Sequence, residues 1–590
     1  MPDPRTILRE TFGFPAFRGV QESVVSRVMA GRHSLAVMPT GAGKSLCYQI
    51  PALARPGTGL VISPLIALMH DQVRSATAFG MRAAALTSAD DNRAETTACF
   101  RSGELDLLYV APERATMEGF RDLLRATPLS LIAIDEAHCV SEWGHDFRPD
   151  YRLLRPLLDA FDNVPRLALT ATADARTRDD ILAQLGIPAD GLILAGFDRP
   201  NIRYSASPRE STGRQIADLL ATSPGPAIVY AQTRRETEKF AGLLSASGRT
   251  VRAYHAGLDA SVRAVNQHSF VASEDMVMVA TVAFGMGIDK PDVRTVIHAG
   301  IPKSIEAYYQ ETGRAGRDGD PAAAHLFWGA EDFSRARQRT ERETPPERRA
   351  EERTRLNALG AFCEAPGCRR AILLRHFGED PPPACGNCDN CLNPPKPVDA
   401  SSVARKLLSA VYRTGQRFGL GHVGDVLAGK SSERITALGH DRLSVFGILS
   451  DAESALLRPA ARALQVREAL VADDHGGLAL GPNARPLLKG EESLPLVLPP
   501  PRRKRSRDRG AVAYDADPLF EALRATRRAL AAEAGVPPYV IFHDAVLRDI
   551  AAERPLTRGA LANISGVGTA KLDRYGAAFL ATIEAHLATA

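Results

Sequence analysis

Short apolar runs alternate with amphipathic stretches through the first half of the chain. Between residues 34 and 200 the runs are Ser34-Leu-Ala-Val-Met38, Gly59-Leu-Val-Ile-Ser-Pro64, Leu105-Asp-Leu-Leu-Tyr-Val110, Leu131-Ile-Ala-Ile-Asp135, Arg166-Leu-Ala-Leu-Thr170 and Leu192-Ile-Leu-Ala195. Runs this short and this continuous predict strands buried on both faces. Their alternation with helical patterns predicts a parallel sheet flanked by helices, with ligands at the carboxyl ends of the strands. A second series follows: Ala227-Ile-Val-Tyr230, Val251-Arg-Ala-Tyr-His255, Met276-Val-Met-Val-Ala280 and Val293-Arg-Thr-Val-Ile-His298. Residues 331–356 are charge-dense with a helical pattern and read as a solvated connector. Residues 400–490 give short helices, then Ala469 to Leu480 reads as two short strands around a turn with His475 at its tip. Pro499 to Arg507 is proline-rich and then basic, an extended linker able to brush phosphates. Residues 515–590 are helical again.

The chemistry sits at the strand ends. After Ser34–Met38 comes Pro39-Thr40-Gly41-Ala42-Gly43-Lys44-Ser45 and then a helical pattern. This is a phosphate-binding loop with Met38 in place of the expected first glycine. Its glycines turn backbone N–H groups toward a phosphate, Lys44 reaches the outer phosphates, and the Ser45 hydroxyl ligates Mg²⁺. The run Leu131–Ile134 delivers Asp135 and Glu136 to the sheet edge, followed by His138. Asp135 suits Mg²⁺, and Glu136 suits the orientation and deprotonation of an attacking water. The second series has no phosphate loop of its own, but it carries Gln310-Glu-Thr-Gly-Arg314-Ala-Gly-Arg317-Asp-Gly319. Two guanidinium groups held three residues apart on a glycine-rich turn suit a γ-phosphate presented across a cleft. Upstream, Phe12-Gly13, Phe17-Arg18 and Gln21 precede the phosphate loop, and a glutamine amide offers a donor and an acceptor that match an adenine edge. Aromatic and basic residues crowd into Trp143-Gly-His145-Asp-Phe147-Arg148 directly after the carboxylates, where bases could stack.

Composition narrows the class without naming it. The chain has 590 residues, 45% hydrophobic and 24% charged, which is globular, multi-domain and neither fibrous nor disordered. A net charge of +4 permits nucleic-acid binding. The N-terminal residues lack the apolar core of a signal peptide and no window is apolar enough for a membrane span, so a cytoplasmic protein with no membrane partner is expected. Of the eight cysteines, Cys363, Cys368, Cys385, Cys388 and Cys391 crowd together. Consecutive C-x₂-C steps in a reducing compartment suit four-thiolate zinc, with an iron–sulfur cluster as the alternative. The first ligand is either Cys363 or Cys368. Cys368 opens a helical run beside Arg369 and Arg370, where positive potential favours a thiolate, whereas Cys363 lies mid-helix among apolar residues.

Taken together, residues 8 to 330 resemble the two-lobe motor of superfamily 2 helicases, and more narrowly the RecQ family of DNA helicases. The residues that carry the resemblance are Phe12 to Gln21 for the adenine motif, Thr40 to Ser45, Asp135-Glu-Ala-His138, Leu169-Thr-Ala-Thr172, Ala283-Phe-Gly-Met-Gly-Ile-Asp289 and Gln310 to Arg317. The Cys368-Arg-Arg and Cys385 to Cys391 segments resemble the RecQ zinc module, which makes Cys368, Cys385, Cys388 and Cys391 the zinc ligands and leaves Cys363 extra.

The resemblance implies a multi-domain α/β fold: two RecA-like parallel-sheet lobes (1–200 and 201–335), a zinc-binding helical module (336–398), a winged-helix domain (399–495), a basic linker (496–514) and a small all-α HRDC domain (515–590). It also implies ATP, Mg²⁺ and Zn²⁺ as cofactors. By the same resemblance Arg18, Gln21, Thr40, Gly41, Gly43, Lys44, Ser45 and Gln310 bind nucleotide, Ser45 and Asp135 hold magnesium, and Lys44, Asp135, Glu136, Arg314 and Arg317 are catalytic, with Arg317 the finger. Trp143, Phe147, Arg148 and the hairpin tip His475 are the DNA contacts it implies, and Tyr539 is a further candidate contact in the HRDC region. The implied activity is ATP-driven 3′ to 5′ travel on single-stranded DNA and unwinding of duplex or branched DNA in repair and recombination. The implied partners are single-stranded and duplex DNA, with a single-strand-binding protein as a further candidate and a monomer as the working unit. An RNA-directed helicase of the same superfamily and a DNA-junction scaffold with a decayed motor are the two other classes consistent with this layout.

Overall fold

The computed structural model describes residues 2–87, 92–141, 147–284, 290–473, 477–497 and 517–589. Trp143, His475, residues 285–289 and the basic run at 502–507 lie outside the described residues.

The first lobe is a seven-stranded parallel sheet: β1 (Ser34–Val37), β2 (Thr58–Ile62), β3 (Ala83–Leu86), β4 (Leu107–Val110), β5 (Leu129–Ile134), β6 (Arg166–Thr170) and β7 (Leu192–Leu194), in the order β3-β4-β2-β5-β6-β1-β7. Every position of β1, β2, β4 and β6 is buried, as expected of strands covered by helices on both faces. Only β6 separates β1 from β5, so the phosphate loop and the Asp135-Glu136 pair leave the same sheet edge about 10 Å apart. β3 was not among the runs legible in sequence. Ala83-Ala-Ala-Leu86 has no β-branched or aromatic residue, and its strand conformation comes from pairing with β4.

The second lobe is a six-stranded parallel sheet: β8 (Ile202–Pro208), β9 (Ala227–Tyr230), β10 (Val251–Tyr254), β11 (Val277–Ala280), β12 (Thr295–His298) and β13 (Ala322–Trp328), in the order β10-β11-β9-β12-β13-β8. β8 and β13 also escaped the sequence reading, the first because its edge position lets Arg203 and Ser207 alternate outward, the second because it opens on three alanines.

The solvated connector expected at 331–356 is instead structural. Helices Ala330–Glu343 and Pro346–Glu364 bury Phe333 and Phe362 completely, and Arg337 donates at 2.6 Å to each of the Gln465 and Val466 carbonyls of the following domain. One apolar residue per turn suffices to bury a helix face even where charges dominate the count.

The winged-helix region packs helices Ser401–Arg413, Leu420–Leu427 and Asp451–Val466 around Val403, Leu407, Val411, Val426 and Leu464. β14 (Pro397–Asp399) and β17 (Pro495–Val497) close it as an antiparallel pair, and β15 (Leu470–Ala472) pairs with β16 (Leu478–Leu480) as the expected hairpin. The C-terminal helical domain forms around Leu523, Leu547 and Phe579. It folds back onto both lobes: Gly566 N donates to Gly13 O at 2.7 Å, and Arg527 pairs with Glu274 at 2.6 Å. No helix among the described residues is long and apolar enough to cross a membrane.

Candidate functional site

A cavity of about 430 Å³ lies where the two sheets face each other. The phosphate loop lines it with Thr40, Gly41, Gly43, Lys44 and Ser45, and the end of β5 adds Asp135 and Glu136. The second lobe adds Gln310, Arg314 and Arg317, and the N-terminal segment adds Phe12, Arg18 and Gln21. Distant sequence positions therefore converge: the loop and the acid pair follow the carboxyl ends of β1 and β5, the arginine turn follows the helix Ile305–Thr312 after β12, and the N-terminal segment packs alongside.

The loop geometry explains its glycines. Gly41 and Gly43 have φ of +84° and +73°, a backbone that L side chains adopt only with strain. A Cβ on Gly41 would also sit 3.2 Å from the Arg317 Cα, so the second lobe's arginine turn closes directly against the phosphate loop. Lys44 Nζ lies 3.4 Å from the Met38 carbonyl, and Arg314 is buried. Gln21 does not hold its amide open: Nε2 donates to the Ala42 carbonyl at 2.9 Å, and Oε1 accepts from Arg18 N at 2.8 Å. Its place in the structure ties the N-terminal segment to the phosphate loop.

Asp135 is buried, accepts from Gln72 Nε2 at 3.1 Å, and has its carboxyl pushed up to about 6 by burial and by the neighbouring Glu136 carboxylate. Two acids crowded into one dry corner fit a divalent cation. Glu136 sits at φ 48°, ψ 46°, a left-handed conformation unusual for a non-glycine residue, and its Oε2 is buried without a hydrogen bond. His138 Nδ1 is 2.9 Å from Thr170 Oγ1 and 3.3 Å from Glu136 Oε2. Burial, reinforced by Lys44 and Arg148, drops the His138 pKa to about 3, so the imidazole is neutral and the close carboxylate is no ion pair. That orphaned oxygen and the acid pair fit a hydrated Mg²⁺ and an attacking water.

Of the DNA candidates, Phe147 lies under the Arg152 guanidinium at 5.4 Å, and Arg148 Nη1 donates to the Pro64 carbonyl beside the cavity at 3.0 Å. Arg148 thus connects the aromatic loop to the end of β2. Tyr539 is half-buried and lines the same cavity, near Lys290 of the second lobe.

Two residues were missed by sequence reasoning. Gln72 comes from a helix with no motif signal. Arg199, buried in the interlobe connection, donates to the Thr40 carbonyl at 2.5 Å, to Gly313 at 3.2 Å, to Ala315 at 3.0 Å and to Gly316 at 2.9 Å, bracketing the phosphate loop and the arginine turn together. A lone arginine before Pro200, between two strand series, was the signal available.

The second site is the cysteine cluster. The sulfurs of Cys368, Cys385, Cys388 and Cys391 all lie within 4.8 Å of one another, with 3.9 Å between Cys385 and Cys391 and between Cys388 and Cys368. A disulfide needs about 2.05 Å, whereas tetrahedral zinc at about 2.3 Å places sulfurs about 3.8 Å apart. The spacing leaves room for one ion and none for the bridging sulfides of an iron–sulfur cluster. Cys363 stands outside the cluster, buried, its thiol pushed far up by burial. Cys368 was the right choice for a different reason from the one its arginine neighbours suggested. Its Sγ caps the helix Arg369–His376 by accepting from Ala371 N at 3.4 Å, while the arginines turn away. Arg369 donates to the Cys363 carbonyl and pairs with Asp389, and Arg370 donates to the Pro200 and Ile202 carbonyls. The metal site therefore pins β8 and the interlobe connection.

Two parallel-sheet lobes sharing one phosphate-loop cavity, with arginines offered from the second lobe, define a nucleotide-driven motor of the helicase class. Family models agree along the chain: DEAD/DEAH box helicase at residues 18–181, helicase conserved C-terminal domain at 212–319, RecQ zinc-binding at 330–392, RQC domain at 394–505 and HRDC domain at 516–583. The ATP-dependent DNA helicase RecQ of Pasteurella multocida is 42% identical over 592 residues, covering 98% of this chain and 93% of that protein. Those of Haemophilus influenzae and Bacillus subtilis are 40% and 37% identical, covering 100% and 99% of this chain and 96% and 98% of theirs. The chain belongs to the RecQ family of ATP-dependent DNA helicases.

Proposed function

We propose that the chain couples ATP hydrolysis to 3′ to 5′ travel along single-stranded DNA, unwinding duplex or branched DNA in repair and recombination. The observation that carries this reading is the closed cleft, in which Arg317 lies against Gly41 across the lobe boundary. Thr40 to Ser45 cradle the phosphates, Lys44 neutralises their charge, and Ser45 with Asp135 would hold magnesium. Magnesium supplies charge neutralisation at the phosphates. Glu136, its Oε2 uncommitted, takes the proton of the attacking water, and Arg317 with Arg314 stabilises charge on the transferring group. Because base and finger come from different lobes, hydrolysis requires closure, and release of products permits opening. Each cycle then shifts the lobes along a strand, to which Phe147 and Arg148 respond beside Glu136. Both halves of the cleft come from one chain, which makes a monomer a sufficient unit.

The test is strand separation on matched substrates: duplex DNA with a 3′ tail, the same with a 5′ tail, and a 3′-tailed RNA duplex. Unwinding confined to 3′-tailed DNA is expected. Unwinding of the RNA, or of 5′-tailed DNA alone, would reject the substrate or polarity assignment.

A further inference from the structure

The nucleotide cavity has a wall that the motor lobes do not supply. Tyr539, Val540, Phe542, Val546, Gly566 and Lys571 of the C-terminal domain line it, more than 200 residues beyond the last motor motif. The domain is held there by a close fit. A Cβ at Gly13 would lie 2.6 Å from Gly568 N, and one at Gly568 would lie 2.7 Å from the Thr11 carbonyl. Thr569 Oγ1 donates to the Glu10 carbonyl at 3.0 Å. On the other side Arg524 and Arg527 share Glu274, and Arg548 meets Asp320.

Within this wall Lys571 is anomalous. It is 6% exposed, lines the cavity, and has no hydrogen-bond or ion-pair partner for its ammonium among the described residues. Its ammonium lies over the Phe79 ring, 4.5 Å from the centroid, and that ring packs on Phe12 at 5.0 Å. Burial lowers its pKa to about 8. Desolvating an ammonium without an acceptor is unfavourable unless a ligand completes it. Phe12 and Phe79 pack beside it and, with Phe14, give the cavity an apolar aromatic wall that suits a flat base and its ribose.

We propose that Lys571 is a nucleotide-binding residue: the C-terminal helical domain lends its ammonium to the base-and-ribose end of the ATP site, which is therefore built from three domains. The acceptors it would meet are ring nitrogens or ribose oxygens, and the Phe79 face holds the charge in place. The inference rests on nucleotide occupying this cavity as proposed above.

The test measures affinity of the full chain for ATP and ADP with Mg²⁺, by displacement of a fluorescent nucleotide. Lys571→Met, which keeps the apolar stem, should weaken both nucleotides roughly tenfold, the worth of one charge-assisted hydrogen bond, and Lys571→Arg should restore most of it. Gly568→Val, which cannot dock against Thr11, should cause the same loss, and the double variant should lose no more than either alone. Lys44→Ala is the separate control: retained binding there would reject the cavity as the ATP site. Impaired binding in Lys44→Ala with Lys571→Met within twofold of the parent would overturn the lysine assignment. So would a Lys571→Arg variant as weak as Lys571→Met. A loss seen with ATP and absent with ADP would place the ammonium on the γ-phosphate and overturn the base-and-ribose assignment.

Discussion

Asp135→Asn should abolish activity and yet stabilise the protein. The carboxyl is 6% exposed and is pushed from the ordinary 3.8 to about 6, first by burial and then by Glu136. Holding it there disfavours its anion by roughly 3 kcal/mol at neutral pH. The asparagine keeps the shape: its Oδ1 can go on accepting from Glu136 N, and its Nδ2 can donate to Gln72 Oε1, which has no hydrogen bond among the described residues in the wild type, once that amide flips, so about 1–3 kcal/mol should return to the folded state after relaxation of the site. For a lobe of this size that is about 2–4 °C per kcal/mol. The sign fixes the pH window. Above about pH 6 the wild-type carboxylate is ionised folded and unfolded, and the full penalty stands. As pH falls from 6 toward 4 the folded protein takes up a proton that the unfolded chain does not yet hold, and the penalty shrinks. The advantage of the variant should therefore be full at pH 7.5 and gone by about pH 4. The assay is thermal unfolding of both proteins without nucleotide or added magnesium across that range, beside DNA-stimulated ATP turnover, which should drop at least about 100-fold. A variant melting at or below wild type at pH 7.5, or one whose advantage persists unchanged at pH 4, would refute the account of a site kept strained for a cation.

Arg317→Ala should lower DNA-stimulated kcat by about 10²- to 10³-fold while the KM for ATP stays within about threefold; lost affinity with intact turnover would remove its finger role. Arg199→Ala leaves the carbonyls of Thr40, Gly313, Ala315 and Gly316 without their shared donor. It should reduce kcat/KM for ATP by about 30-fold or more without touching any phosphate, and unchanged steady-state kinetics would show that the bracket does not hold the lobes. Cys388→Ser should reduce the bound zinc, read by elemental analysis as one ion per wild-type chain, and lower the melting temperature of the second lobe by several degrees; stoichiometric iron in the wild type would overturn the zinc geometry.

What was legible in the sequence follows from what each residue needs locally. Gly41, Gly43, Lys44 and Ser45 announce themselves because a phosphate loop requires its glycines and lysine within a few positions. Asp135 follows from a continuous apolar run ending in charge, and the cysteines from their own spacing. β3, β8 and β13 were hidden because their strand conformation is conferred by neighbours: alanines and an alternating edge carry no signal that a helix or loop would not also carry. Phe333 was hidden under the charges around it. Arg199 could not be found at all from spacing, since its acceptors are backbone carbonyls, which every residue has, and only the fold decides which four meet it.

The N-terminal segment shows how a motif's residues divide their labour. Phe12-Gly13 read as part of an adenine-recognition pattern, and Phe12 does line the cavity. Gly13 has another requirement: its φ of +75° and the 2.6 Å approach of Gly568 leave no space for a side chain. Gln21 spends its amide on the phosphate loop backbone. The polypeptide that lines the cavity on one side is thus the platform for the C-terminal domain on the other, and ties the phosphate loop on a third. A substitution at Gly13 would disturb nucleotide affinity through the docked domain, so Gly13→Ala and Gly568→Val should lose ATP affinity in common and fail to add when combined. Additive losses would show that the two faces of this segment work independently.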